Sequence, residues 1–130
     1  MAVAADRTLY VADAGNRRVQ VFDRFDRQLA ILNGPFESLE NLCLDADGFL
    51  YVIDSKANKI FSYTSERVLV ATYPSPGDDY AFDVPTDCAR GPDGTLYVVG
   101  SGHGQVLLLE EVRSVFRRTG NLAVKAETRR

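Results

Sequence analysis

The tripeptide Leu-Tyr-Val occurs three times in this chain, at residues 9–11, 50–52 and 96–98. The copies lie 41 and 46 residues apart, within the range of periods at which a repeated sequence indicates a solenoid, a propeller or another repeat array. The agreement extends beyond the tripeptide, because an aspartate stands three residues before each leucine, at Asp6, Asp47 and Asp93. We therefore expect the chain to fold as three copies of one unit.

Each unit is predicted to consist of short β-strands. Residues 49–54 are mostly aromatic and aliphatic and follow Asp47-Gly48, a strong hairpin-turn signal. Further strand-like segments at residues 41–44, 59–63 and 67–72 give about four strands for each repeat, which is typical of a β-propeller blade. We therefore predict an all-β single domain of three four-stranded propeller blades at residues 1–36, 37–80 and 81–118, followed by a latch strand or tail at 119–130.

Residues 9–23 resemble the NHL repeat, whose hallmark is Leu-Tyr-Val-x-Asp, a turn that contains Asn, and then Arg before Val or Ile. Residues 50–63 resemble it too, whereas the third copy departs from it because Gly100 and Gln105 replace the hallmark Asp and Arg. The resemblance implies a β-propeller, usually of six blades, that serves as a platform for binding protein, RNA or small ligands. Related six-bladed folds include metal-dependent lactonases and lyases.

Three blades are too few for a closed ring, because known propellers have at least about four. The first and last blades would then expose apolar faces, which favour association. We therefore predict a homodimer in which two chains close one six-bladed propeller about a two-fold axis, with the strand at residues 122–124 as a latch onto the partner. The alternative is that the chain is a fragment of a longer propeller.

The repeat also predicts which residues support the scaffold. Asp13 and Arg18 occupy the same positions as Asp54 and Lys59, and both charges are absent from the third copy. We therefore predict an ion pair within each of the first two blades. Three repeated aromatic residues are predicted to pack between blades; they are Tyr10, Tyr51 and Tyr97.

Positions that differ between the copies are the candidates for function. The loops between the second and third strands carry Arg17, Lys56 and His103, which would form a patch for an anionic group on one face of the propeller, together with Asn58. A longer loop at residues 74–87 has four aspartates and three prolines, and it is predicted to bind a partner. The candidates in that loop are Asp79, Tyr80 and Phe82. Ordinary solvated loops are the alternative for the anion patch, and a surface insertion whose aromatic residues pack beneath it is the alternative for the longer loop.

The sequence contains no convincing catalytic set. Its single histidine is too few for a catalytic zinc site, which normally needs three protein ligands. The predicted function is a non-enzymatic binding module for a protein or small ligand, without a cofactor. Nucleic acid is disfavoured as a ligand, because the basic C-terminal residues lack a base-stacking motif. The alternative is a lactonase-like or lyase-like enzyme with Ca²⁺ or Zn²⁺ in the central channel, held by Glu40, Asn41 and Asp87.

Cys43 and Cys88 are predicted to lie on the innermost strands of successive blades. The repeat alignment offsets them by one residue, so they should face opposite sides of their sheets and stay reduced. Reduced cysteines favour a cytoplasmic location. The composition agrees, since 45% hydrophobic residues, a net charge of −3 and the lack of a membrane-spanning run or signal peptide are typical of a soluble domain.

Residues 108–120 permit two predictions. The repeat makes residues 113–117 the outer strand of blade three. Apolar residues at helical spacing, with Gly120 as a stop, instead indicate an amphipathic helix. We favour the strand, because it preserves the four-stranded unit.

Overall fold

The computed structural model contains three antiparallel four-stranded sheets that follow one another along the chain. In each sheet every strand pairs with its neighbours in sequence. Blade one consists of β1 (Ala2–Val3), β2 (Leu9–Asp13), β3 (Arg18–Phe22) and β4 (Gln28–Leu32). Blade two consists of β5 (Leu39–Leu44), β6 (Leu50–Asp54), β7 (Lys59–Tyr63) and β8 (Leu69–Tyr73). Blade three consists of β9 (Pro85–Arg90), β10 (Leu96–Gly100), β11 (Gln105–Val112) and β12 (Val115–Ala123). The prediction of an all-β chain with three four-stranded blades is confirmed.

The structure describes residues 1–74, 77, 81–91, 95–100, 105–112 and 115–123; in the last two ranges it describes the backbone and, of the side chains, only those of Val106 and Leu108. Within these ranges the helical element is a short 3-10 turn at Ala14–Asn16. No helix in this part of the chain has the length and hydropathy needed to cross a lipid bilayer.

The two interfaces between blades form the core. In β6, Leu50 and Val52 face blade one, whereas Tyr51 and Ile53 face blade three, as expected for a strand whose side chains alternate between faces. All four are at most 2% exposed. Because both faces of this central sheet are covered, β6 is apolar from residue 50 to residue 53 instead of alternating between apolar and polar.

Packing between blades is confirmed for two of the three repeated tyrosines. Tyr10 lies in the interface between blades one and two, and Tyr51 in the interface between blades two and three. Tyr97 occupies the same position in blade three but is only partly buried, because no further blade among the described residues covers that face.

Cys43 and Cys88 form a disulfide with their Cα atoms 5.9 Å apart, so the prediction of reduced cysteines is wrong. The one-residue offset itself is present, since Cys43 lies opposite Tyr51 in blade two and Cys88 lies opposite Val98 in blade three. However, the opposite faces of consecutive blades point towards each other, and the offset therefore brings the two sulfur atoms together. The argument for a cytoplasmic location loses its support, because disulfides are typical of oxidising compartments.

The ion pair predicted for the second-to-third-strand turn is confirmed in blade one. The Arg18 Nε atom donates to Asp13 Oδ2 at 2.8 Å. The amides of Asn16 and Gln20 also donate to this carboxylate. Together these hydrogen bonds, that of Arg18 above all, lower the pKa of Asp13 below its ordinary value of 3.8.

The corresponding ion pair between Asp54 and Lys59 is absent from blade two, so that prediction is wrong. Asp54 is fully buried, whereas Lys59 is exposed. The Asp54 carboxylate accepts hydrogen bonds from the backbone N–H groups of Glu37, Ser38 and Ala57, at 2.6, 3.0 and 3.1 Å. The segment that leads into blade two and the β6–β7 turn therefore supply the donors that a buried carboxylate needs.

Gly100 stands at the same repeat position in blade three because the backbone leaves no room for a side chain. A Cβ atom there would lie 2.7 Å from the carbonyl oxygen of Asp83. Real Cβ atoms essentially never approach another atom this closely. The loss of the charge in the third copy thus reflects the close approach of the segment before β9.

The strand prediction for the end of blade three is confirmed, and the helix alternative is wrong. β11 and β12 pair from Gln105 opposite Ala123 to Val112 opposite Val115. β12 extends beyond the predicted end of the blade, so that Leu122 lies opposite Val106 within blade three. Residues predicted as a latch onto a partner therefore complete the chain's own outer strand, at least as far as Ala123.

Candidate functional site

The predicted binding loops lie at one end of the sheets, because antiparallel pairing places the β2–β3 and β6–β7 turns at the same end as the connections between blades. Arg17 follows the 3-10 turn with a left-handed φ of 53° and is exposed. Lys56 is exposed in the corresponding turn of blade two. This end therefore presents two cationic side chains on adjacent blades.

Asn58 makes a structural contact in the same turn. Its Oδ1 atom accepts a hydrogen bond from the backbone N–H of Val84 at 2.9 Å. Val84 has a φ of 53°, which is costly for a β-branched residue and must be held by its surroundings. Asn58 thus anchors the connection before β9 to blade two, and its carbonyl oxygen is already used within the chain.

Phe82 is buried, as in the alternative in which the aromatic residues of this loop pack beneath it. It is 6% exposed and packs in the apolar cluster that also contains the disulfide and Tyr73. Burying a phenylalanine is favourable by about 1.5–3 kcal/mol, which outweighs leaving it on the loop surface. The other predicted residues of this region lie outside the described part of the chain; they are Asp79, Tyr80 and His103.

Two of the three residues predicted for the central channel are in contact. The Asn41 Nδ2 atom donates to Asp87 Oδ1 at 3.1 Å and joins β5 to β9. Each side-chain oxygen also accepts the backbone N–H of the next residue, Leu42 or Cys88. Glu40 is exposed. Amide and carboxylate oxygens are ligands that Ca²⁺ accepts, although the described residues contain no group of three or more His, Cys, Asp or Glu side chains placed to hold a metal ion.

A network between blades two and three was not identified from the sequence. Arg90 Nη1 donates to the Tyr51 hydroxyl at 2.6 Å and to Asp45 Oδ2 at 3.2 Å, and the Tyr51 hydroxyl donates to the same Asp45 oxygen at 3.0 Å. The Arg90 and Asp45 side chains are only 12% and 9% exposed. The signal was present in the repeat alignment, because Arg90 replaces Leu44 at this position.

Several solved structures are similar to the chain. One is a protein from Lactobacillus plantarum, with a TM-score of 0.73 and 16% identity over 96% of this chain and 42% of that one. A catalytically inactive virginiamycin B lyase from Staphylococcus aureus with quinupristin has a TM-score of 0.72 and 15% identity over 89% of this chain and 38% of the lyase. The hydrazine synthase of Kuenenia stuttgartiensis has a TM-score of 0.74 and 19% identity over 90% of this chain and 33% of that one.

The sequence matches no protein-family profile and no curated protein. The structural neighbours are β-propeller proteins, and this chain spans less than half the length of each of the three. At these identities the similarity shows the fold alone. The chain therefore has the architecture of consecutive propeller blades.

Proposed function

We propose that this chain is a non-enzymatic, NHL-like propeller module that binds a protein or small ligand, and that a second copy completes its ring. The observation that carries the proposal is the pair of uncovered apolar faces on blades one and three. The exposed cations at the loop end then indicate where the assembled module binds.

The uncovered face of blade one carries apolar side chains. Val3 and Ile31 are 62% and 38% exposed, and Leu9, Val11 and Phe22 are partly exposed. Strand pairing places Val3 beside Leu9 and Leu9 beside Phe22 on this face. An apolar surface of this kind favours contact with another protein surface over water.

The uncovered face of blade three is similarly apolar. Val99 is 41% exposed, and Tyr97 is partly buried on the same face. Val106 and Leu108 lie opposite them on β11 and are also partly exposed. Four apolar residues thus form one patch on two neighbouring strands.

The two faces are the two halves of the interface that already repeats inside the chain. Leu9 and Val11 stand at the positions of Leu50 and Val52, which are fully buried against blade one. On the blade three face, Tyr97 and Val99 stand at the positions of Tyr51 and Ile53. In blade two these positions are buried against blade three. Blade three of one copy can therefore pack on blade one of the other, and a two-fold axis makes both contacts at once.

The proposed assembly is tested by solution mass. Light scattering is expected to give about twice the chain mass of 14.4 kDa. Val99→Glu should produce a monomer, because it places a charge in the proposed contact. Val70→Glu is the matched control, since Val70 is 53% exposed on blade two, whose faces are both covered. A wild-type monomer, or equal effects of the two variants, would contradict the homodimer and favour a ring closed by other blades.

The proposed binding surface is tested with an acidic probe. A hexaglutamate peptide should bind more weakly to Arg17→Ala/Lys56→Ala than to wild type, because Arg17 and Lys56 are exposed cations in the β2–β3 and β6–β7 turns at the loop end. Arg24→Ala is the control, since Arg24 is exposed in the β3–β4 turn at the opposite end. Equal binding by all three proteins would exclude the loop end as an anion-binding surface.

The alternative proposal is a metal-dependent lactonase-like or lyase-like enzyme with Ca²⁺ or Zn²⁺ in the central channel. The contact between Asn41 and Asp87 favours it, because it brings two oxygen ligands together on neighbouring innermost strands. A two-fold assembly would duplicate the pair. Elemental analysis followed by a screen of lactones and esters distinguishes the proposals. An activity that Asp87→Asn abolishes would support the enzyme. The control is Glu66→Gln, at an exposed site on blade two, which should keep the activity.

A further inference from the structure

A cleft of about 460 Å³ lies between blades one and two, at the end opposite the binding loops. It is lined by the β1–β2 turn, the β5–β6 turn and part of the β7–β8 turn. All of its lining residues belong to one chain, so the cleft exists whether or not the ring is closed by a second copy.

The repeat shows what occupies this position in the neighbouring interface. Strand pairing places Leu44 at the position of Arg90, because each lies opposite the leucine that begins the Leu-Tyr-Val tripeptide. Ala4 likewise follows β1 at the position where Asp45 follows β5. Both Leu44 and Ala4 line the cleft. The space that a guanidinium and its carboxylate fill between blades two and three is therefore open between blades one and two.

Tyr10 is the member of the network that both interfaces keep. It lines the cleft and is only 3% exposed, yet its hydroxyl makes no hydrogen bond to any described residue. The corresponding hydroxyl of Tyr51 accepts from the Arg90 guanidinium and donates to Asp45. A ligand that reaches the Tyr10 hydroxyl from the cleft gains a hydrogen bond that no described residue supplies.

The charge of the cleft favours a cation. Three carboxylates line it, at Asp6, Asp45 and Asp47, against the single cation of Arg67. Asp45 is already paired with Arg90. The hydrogen bonds from Thr8, the backbone N–H first, lower the pKa of Asp6, so this carboxylate is ionised at neutral pH.

We propose that the cleft between blades one and two binds a guanidinium group, which takes the place that Arg90 occupies in the next interface. The planar group would donate to the Tyr10 hydroxyl and to the carboxylates of Asp6 and Asp47, and its face would lie against the tyrosine ring. Arg90 shows this arrangement within the chain, with its guanidinium carbon 5.9 Å from the centroid of the Tyr51 ring. A small molecule and an arginine side chain of a peptide are the two sources of this group, since both offer the same chemistry.

The first test is calorimetric titration with agmatine and with the peptide acetyl-Gly-Arg-Gly-amide. The citrulline peptide is the matched probe, because it keeps the shape and loses the charge. We expect saturable binding of the guanidinium probes, weakened by added salt, and none of the citrulline peptide. Agmatine binding alone would identify a small-molecule site, and peptide binding as well would identify an arginine side chain as ligand. Equal binding of the arginine and citrulline peptides would overturn the proposal.

Two variants connect the binding to this cleft. Tyr10→Phe should weaken it about ten-fold or more, because a hydrogen bond to a charged group is lost, while the unfolding midpoint stays the same. Ala4→Asp/Leu44→Arg should abolish binding, because it rebuilds within the chain the network that fills the next interface. Unchanged affinity of Tyr10→Phe would overturn the proposal even if the double variant failed to fold. Neither result depends on the solution mass, so this proposal and the homodimer can fail separately.

Discussion

Removing the disulfide between Cys43 and Cys88 is expected to destabilise the chain by about 4 kcal/mol. The bond joins positions 45 residues apart. Closing a loop of that length in the unfolded chain lowers its entropy by about 13 cal/mol/K, which amounts to about 4 kcal/mol at 25 °C. For a domain of this size the expected fall in Tm is about 15 °C. The effect is large because 45 residues separate the two cysteines along the chain, so the bond closes a long loop.

The assay is chemical denaturation followed by circular dichroism at a fixed protein concentration, with and without a phosphine reductant. Thiol titration should find no free cysteine in the untreated protein and both cysteines after reduction and unfolding. Cys43→Ala/Cys88→Ala is the control, and its unfolding midpoint should not respond to the reductant. Free thiols in the untreated protein, or a wild-type midpoint that ignores the reductant, would refute the inference that consecutive blades bring the two residues together.

Three further predictions concern single side chains. Tyr51→Phe should lower the free energy of unfolding by about 2 kcal/mol, because Tyr51 bonds two charged groups, whereas Tyr10→Phe should leave it unchanged; equal losses in denaturant titrations would contradict the network. Asp54→Asn should cost about 2–3 kcal/mol, because an amide cannot accept all three backbone N–H groups, and a midpoint like that of wild type would exclude this role. Asp13 should titrate below its ordinary pKa of 3.8 and contribute stability above that pH, which is lost as the pH falls through the lowered value. Arg18→Gln should raise this pKa in a carbon-detected NMR titration, and an unchanged pKa would show that the pairing is not its cause.

The strands and their faces were predictable from the sequence. Successive side chains of a strand point to opposite faces, so the sequence alone assigns Leu50 and Tyr51 of β6 to opposite faces, as the structure does. This assignment needs only the local period of a strand. The repeat predicted the four-stranded blade and favoured a strand at the end of blade three, where hydrophobic periodicity alone also permitted a helix. The sequence did not predict where this outer strand ends, because the pairing of Leu122 with Val106 depends on how far β11 extends.

The candidate site was predictable only in part. Arg17 and Lys56 are exposed at one end, as turn residues between strands usually are. Phe82 and Asn58 come from the same set of candidates, yet one is buried and the other holds Val84. Whether a loop aromatic is exposed depends on the surface beneath it, and that surface belongs to another blade. The cleft beside Tyr10 was missed because its lining residues come from separate turns.

By itself the sequence determined the unit: three copies, the strands within each, and the residues that share a face, all of which follow from short-range periodicity. The tertiary structure decided which faces meet. Cys43 and Cys88 were expected to be apart because they lie on opposite faces of their own sheets, and stacking of consecutive blades turns those faces towards each other. The tertiary structure also surrounds Asp54 with backbone donors and brings the segment before β9 so close to Gly100 that it excludes a side chain there. Contacts between blades join residues far apart in the chain, and no local pattern contains them.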